Sequence, residues 1–256
     1  NAALLAATSE DAFVEYILDG QPEPPPYFGR MKVQNRQGPA VLGARPTPKK
    51  VRDGKLSELC GATGVAVLDT RPWDDYRAAH LPGALHAPLN TRFNTVAGCY
   101  VPDGMPVYLL IEEDRVDEAV ADLIHVGLDH IAGFATPEMF QHYTGAGAQV
   151  SRVEQVDGAG FDPSEHADAF LLDVRRAAEL ETQGAIPGAY NIAHTRLLER
   201  IEEVPNDRRV IVYCRTGPRS GYASGLLDRF GYDVVNIGGG IVAWNGGKAG
   251  EPADQR

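Results

Sequence analysis

Val210-Ile211-Val212-Tyr213-Cys214-Arg215-Thr216-Gly217-Pro218-Arg219-Ser220 joins an apolar run to a short cationic loop. Four consecutive β-branched or aromatic residues predict a strand buried on both faces. Behind the loop, Tyr222, Leu226, Leu227 and Phe230 recur at helical spacing within Gly221 to Phe230. Strand, tight loop and helix in that order form the unit of a parallel α/β sheet, where sites lie beyond the carboxyl ends of strands. Cys214 stands at that end.

A free thiol, with a pKa of about 8.5, is mostly protonated at neutral pH and becomes a strong nucleophile only where its thiolate is stabilised. The loop offers three such influences. Arg215 and Arg219 are expected to bring guanidinium charge close to the sulfur. Gly217 and Pro218 break regular structure, so the loop can curl its amides inward as an anion nest. Ser220 is expected to cap the helix Gly221 to Phe230, aiming the positive end of its dipole at the sulfur, and the Thr216 hydroxyl adds a donor. A lone cysteine after an apolar strand is ordinarily a small buried hydrophobe. Two arginines, a Gly-Pro break and a helix start in one loop favour the nucleophile.

The Cys-Arg-x-Gly-x-Arg-Ser loop resembles the active-site loop of the rhodanese sulfurtransferases. Phe170-Leu171-Leu172-Asp173-Val174-Arg175 and Ile186-Pro187-Gly188-Ala189-Tyr190-Asn191-Ile192 resemble the same family's Asp-x-Arg strand end and Ile-Pro-Gly-Ala turn, although Ala185 stands where the family has histidine. The resemblance implies that Cys214 accepts a sulfane sulfur, carries it as a persulfide and passes it to an acceptor. No cofactor is implied beyond that covalent sulfur. Residues 215–220 would cradle the donor, while Asp173 and Arg175 would be structural, closing the strand end. Arg215 directly after the cysteine is similar to thiosulfate-using members. Phosphatases with a cysteine nucleophile are the nearest enzymatic alternative, but they place one more residue between cysteine and arginine, enough to enclose a phosphate.

An internal repeat extends the assignment. Val67-Leu68-Asp69-Thr70-Arg71 recurs 104 residues later as Leu171-Leu172-Asp173-Val174-Arg175, and His80-Leu81-Pro82-Gly83-Ala84 recurs as Ala185-Ile186-Pro187-Gly188-Ala189. The same offset carries Cys214 onto Leu110, followed by Glu112, Glu113 and Asp114. An acidic run there would repel an anionic donor. The expected architecture is therefore α/β, with two tandem rhodanese-like domains, each a parallel five-stranded sheet flanked by helices. Residues 44–146 would form a catalytically silent domain and residues 147–256 the domain bearing Cys214.

With 256 residues the chain can hold two domains of about 100 residues, each with its own core. A net charge of −11 argues against nucleic acid or anionic membrane as partners. Three cysteines do not make a disulfide framework, and the absence of a long apolar run or signal pattern leaves the cytoplasm as the default compartment. Cys60 and Cys99 lack cationic neighbours in sequence; Cys60 reads as packing against the sheet, and Cys99 as lying between sheet elements, with a resolving role open to it. The seven histidines form no metal-ligand spacing, so no metal is expected. His80, His86 and His194 flank turns and read as bonded to nearby backbone. The family resemblance makes Gly238 to Trp244 a close-packed turn and helix start beside the catalytic loop.

Residues 1–43 fit neither repeat. Ser9 reads as the cap of a short helix, with Phe13, Val14, Tyr16, Ile17 and Leu18 as its apolar face and a stop at Gly20. A proline-rich connector from Gln21 through Pro22 to Pro26 follows, then a helical turn. Phe13 to Pro39 is similar to the segment that follows the metallo-β-lactamase-fold domain in hydrolases or persulfide dioxygenases fused to rhodaneses, and the opening Asn1-Ala2 fits a piece cut from such a chain. The resemblance implies as partners that preceding domain and a small sulfur-containing anion or thiol; a homodimer is compatible with the sequence. A non-enzymatic docking or dimerisation module is the alternative from another class.

Overall fold

The computed structural model describes residues 9–18, 21, 23–39, 41–52 and 54–246. Asn1, Ala2, Gly20 and Pro22, on which parts of the N-terminal reading fall, lie outside them. Helix α1 (Glu10–Leu18) begins where expected, its Ala12 N–H donating to Ser9 Oγ at 3.2 Å. Where only a turn was expected after the prolines, α2 (Tyr27–Gln37) runs for 11 residues. It lies on the first unit, with Arg30 Nη2 donating to Val126 O at 2.6 Å and the Tyr27 ring packed against Gly98. Arg196 of the second unit pairs with Glu23 at 2.8 Å and donates to Pro24 O at 2.6 Å, so the connector straddles both units.

The first unit contains α3 (Lys55–Leu59), β1 (Ala66–Asp69), α4 (Trp73–Ala78), β2 (Leu85–His86), α5 (Phe93–Tyr100), β3 (Val107–Leu110), α6 (Val116–His125), β4 (Ile131–Ala135) and α7 (Pro137–Gly145). The second contains β5 (Glu154–Asp157), β6 (Phe170–Asp173), α8 (Ala177–Gln183), β7 (Tyr190–Asn191), β8 (Val210–Tyr213), α9 (Pro218–Arg229), β9 (Val234–Gly238) and α10 (Gly240–Trp244). Both sheets are parallel, in the orders β2-β1-β3-β4 and β5-β9-β8-β6-β7. Every residue of β1 and β8 is buried, as strands covered by helices on both sides require. Among the described residues the first sheet has four strands where five were expected. Its fifth position, filled by β5 in the second sheet, is reduced to one bridge between Lys50 and Phe134.

The repeat is visible atom by atom at the strand ends. In the second unit Arg175 donates from its backbone N and its Nε to Asp173 Oδ1, both at 3.0 Å, and from Nη2 to Asp173 Oδ2 at 2.6 Å and Gly184 O at 2.7 Å. Arg71 repeats this on Asp69, at 3.1, 2.9 and 2.6 Å, and donates to Ala79 O at 2.8 Å. Each pair fastens the end of a central strand to the loop that follows the next helix.

The two units share a continuous apolar core that includes Leu68, Tyr76 and Leu85 from one and Val212, Tyr222 and Leu226 from the other. Across the seam, buried His80 bridges Tyr76 O at 2.9 Å and Asp228 Oδ2 at 3.0 Å. Arg229 donates to Gly83 O at 2.5 Å and Val65 O at 2.8 Å. Helix α9, which follows the Cys214 loop, therefore carries much of this seam.

Candidate active site

Strand β8 delivers Cys214 to the carboxyl edge of its sheet, and the chain turns at once. Gly217 adopts φ 119°, and α9 begins at Pro218, one residue inside a glycine N-cap. This corrects the expectation for Ser220: it sits within the first turn, its hydroxyl donating to Gly217 O at 2.8 Å, and does not cap the helix. Pro218 is the stronger start signal, because its fixed φ suits the first helical position and its missing N–H costs nothing there. The result still aims the helix at the sulfur. The Gly217 N–H donates to Cys214 Sγ at 3.1 Å, at the positive end of a 12-residue helix.

The carbonyls of the loop are held from the other side. Ile241 N–H donates to Cys214 O at 2.9 Å and Val242 N–H to Arg215 O at 3.1 Å, so the first turn of α10 clamps the loop. The expected close packing of Gly238 to Trp244 is realised at Gly240, which has φ +56°. A Cβ there would run into Cys214 O and lie 2.7 Å from Arg215 O. A Gly240→Ala variant is expected to lose roughly 1–3 kcal/mol from its left-handed backbone alone, and more from the collision. Thermal unfolding checks this: a fall of several degrees is expected, and an unchanged midpoint would contradict the clamp.

One flanking charge has a partner that the sequence reading did not include. Arg219 is committed to Glu179 by a bidentate pair, Nη1 to Oε2 at 2.6 Å and Nη2 to Oε1 at 2.8 Å. Burial works against the Glu179 charge, but Arg219 outweighs it and holds the carboxyl below its usual range. Arg219 thus braces α9 against α8, and its cationic influence on the sulfur is shared with a carboxylate. Arg215 is half-buried at the loop, and Thr216 and Pro218 form the exposed rim. Cys214 itself is 1% exposed.

His194 lies behind this rim, between the rings of Tyr100 and Tyr222 at 6.5 and 6.0 Å. Burial, then the nearby Arg219, Arg176 and Arg92 guanidiniums, push its pKa down to about 3, leaving the imidazole neutral at pH 7. Arg92 belongs to the first unit, whose α5 packs against the His194–Arg196 turn. His194 Nδ1 has no hydrogen-bond partner among the described residues. Burial pushes His86 down to about 3 as well, outweighing its backbone contacts with Arg71 and Gly221, which favour the charged ring. His80 follows the expected pattern, through Tyr76 O, and adds the bond to Asp228.

Strand register corrects the counterpart of Cys214. Asp173 pairs with Tyr213 and Asp69 with Leu110, so the residue at the cysteine position of the first sheet is Ile111, not Leu110. Ile111 is buried and offers only hydrocarbon. Of the other thiols, Cys99 lies in the last turn of α5, between β2 and β3 as expected, and burial pushes its pKa up to about 12. Cys60 packs at the edge of the first core. Among the described residues no group of three or more His, Cys, Asp or Glu side chains could hold a metal, and no helix is long and apolar enough to cross a membrane.

A family model described as "Rhodanese-like domain" matches residues 53–127 and again residues 162–246. A sulfurtransferase of Allochromatium vinosum is 44% identical over 78 residues, which cover 30% of this chain and 72% of that protein. The putative sulfurtransferase YtwF of Bacillus subtilis is 32% identical over 96 residues, covering 37% of this chain and 92% of that one. A putative mitochondrial thiosulfate sulfurtransferase of Schizosaccharomyces pombe is 33% identical over 106 residues, covering 36% and 74% respectively.

Proposed function

Because the chain belongs to the rhodanese-like domain family, with both of its units matching, we propose that it is a sulfurtransferase whose chemistry runs through Cys214 in the second unit. The observation that carries this reading is the Gly217 N–H on Cys214 Sγ, at the positive end of a long helix and at the carboxyl edge of a buried parallel strand. Amide and dipole there favour negative charge on sulfur both before and after transfer.

The reaction proposed has two displacements. Cys214 thiolate attacks the outer sulfur of thiosulfate; the new S–S bond forms as the old one breaks, and the electron pair departs with sulfite. The terminal sulfur of the resulting Cys214 persulfide is then attacked by a nucleophile such as cyanide or a thiolate, and the electron pair of the second S–S cleavage returns to Cys214. Arg215 and the loop amides stabilise the departing sulfite charge, with Thr216 at the rim. The near-complete burial of Cys214 favours delivery of a single small atom over a bulky ester.

In this reading the first unit is catalytically silent, which the hydrocarbon of Ile111 at the cysteine position supports. The division at residues 146 and 147 is supported by the end of α7 at Gly145 and the start of β5 at Glu154. The finer proposal places the activity beside a metallo-β-lactamase-fold domain of the same chain, in sulfide or persulfide metabolism. In its favour, Val14, Ile17 and Leu18 of α1 are exposed. The full reading frame tests that proposal, and a frame without such a domain removes it.

The activity is tested by incubating the protein with thiosulfate and cyanide and, separately, with p-nitrophenyl phosphate. Saturable thiocyanate formation without phosphate release is expected. Phosphate release without thiocyanate would make this a phosphatase. Neither product, with no transfer from a low-molecular-weight persulfide, would favour a docking module.

A further inference from the structure

The unit without the cysteine touches the Cys214 loop's supports on two sides through one side chain. Trp73 opens α4, on the seam between the units. Its indole lies flat enough against the first turn of α9 that a Cβ built on Gly221 would sit 3.1 Å from Cε3 and 3.3 Å from Cδ2. Gly221 N–H in turn donates to Gly217 O at 3.0 Å, and Gly217 N–H donates to Cys214 Sγ. A single helical turn therefore separates the indole from the amide that holds the sulfur.

The other edge of the indole reaches the opposite support. Trp73 Nε1–H donates to Gln155 Oε1 at 2.7 Å, and the same oxygen accepts from Asn236 Nδ2 at 2.8 Å. Gln155 lies on β5 in register with Asn236 on β9, and its side-chain amide packs against Gly238 at the end of that strand. From Gly238 the chain enters α10, whose amides hold the carbonyls of Cys214 and Arg215. Trp73 is itself held between Tyr76, stacked at 6.0 Å, and His86 at 5.2 Å.

Resting on the sulfurtransferase reading, we propose that Trp73 is a positioning residue for sulfur transfer at Cys214, fixing the spacing between the α9 amide and the α10 clamp from the neighbouring unit. The physical ground is the steep dependence of rate on geometry: a displacement of about 1 Å at a distance from the chemistry can cost up to roughly a hundredfold. A helix resting on a glycine has no side chain of its own to keep that distance. The indole supplies it.

The test is the single-turnover rate of sulfur loading on Cys214, followed by mass spectrometry across a range of thiosulfate concentrations. Trp73→Ala is expected to lower the saturating rate by about tenfold while half-saturation moves less than twofold. Trp73→Phe, which keeps a ring against Gly221 but loses the bond to Gln155, is expected to fall between Trp73→Ala and wild type and guards against a misfolded alanine variant. Val120→Ala, in the buried face of α6 on the first unit, is the control for stability alone: it should lower the melting point and leave the saturating rate unchanged. Equal rates for both Trp73 variants and wild type, or an equal loss in Val120→Ala, would overturn the inference while leaving the sulfurtransferase reading intact. A wild-type protein that takes up no sulfur would overturn both.

Discussion

Cys214→Ser is expected to lose thiocyanate formation by at least about a thousandfold while melting at the wild-type temperature. The substitution is nearly isosteric in a position that is 1% exposed, so the fold has no reason to change. The chemistry has every reason to. A serine hydroxyl is not ionised at neutral pH, and the amide of Gly217 (3.1 Å from Sγ in wild type) stabilises a thiolate, not a neutral alcohol. No other thiol can take over. Burial pushes Cys99 up to about 12, so it is almost wholly protonated at pH 7. Cys60 sits in the first unit's core edge, and Ile111 stands at the position a second nucleophile would need. A variant retaining a tenth of the activity would place the chemistry elsewhere.

The largest loss of stability is expected from Asp173→Ala. Asp173 and Arg175 are both fully buried, and the carboxylate meets the guanidinium at 2.6 Å. Burial opposes the Arg175 charge, yet the Asp173 carboxylate more than compensates, and the group holds its proton more tightly than a free arginine. Removing the carboxylate leaves a buried cation with Gly184 O as its acceptor among the described residues and the Tyr213 ring 5.8 Å away. Breaking one side of such a pair costs about 3–5 kcal/mol, whereas replacing both partners by apolar residues of similar volume is far milder. Urea unfolding should therefore show a large fall for Asp173→Ala and a smaller one for Asp173→Leu combined with Arg175→Met. Equal losses would mean that packing, not charge pairing, holds the strand end.

The central strands could be read in the sequence because they are apolar runs buried on both faces: Val107–Leu110 and Val210–Tyr213 fall where the pattern puts them. The edge strand Glu154–Asp157 could not, since Glu-Gln-Val-Asp has neither an apolar run nor clear alternation and is ordered by pairing with β9. The repeat was legible through its Asp-x-Arg strand ends, whose bonding the two units share. A difference of one residue between the units, invisible without strand register, moved the cysteine's counterpart from Leu110 to Ile111.

At the site, local signals gave the cysteine, the glycine turn and the helix behind it. Long-range partners were hidden. Nothing near Arg219 announces Glu179, which is 40 residues away in sequence. The cluster of Trp73, Gln155 and Asn236 is assembled from three elements, and its only sequence trace is a buried-strand asparagine flanked by Val235 and Ile237. His86 and His194 are kept neutral by a seam that exists only once the two units pack.

The account rests on a persulfide at Cys214, and intact-mass spectrometry after brief exposure to thiosulfate tests it most directly. Wild-type protein is predicted to gain the mass of one sulfur atom, mapped by digestion to the peptide containing Cys214, absent from Cys214→Ser and removed by cyanide as thiocyanate. An adduct on Cys60 or Cys99, or no adduct with either thiosulfate or a low-molecular-weight persulfide, would contradict it.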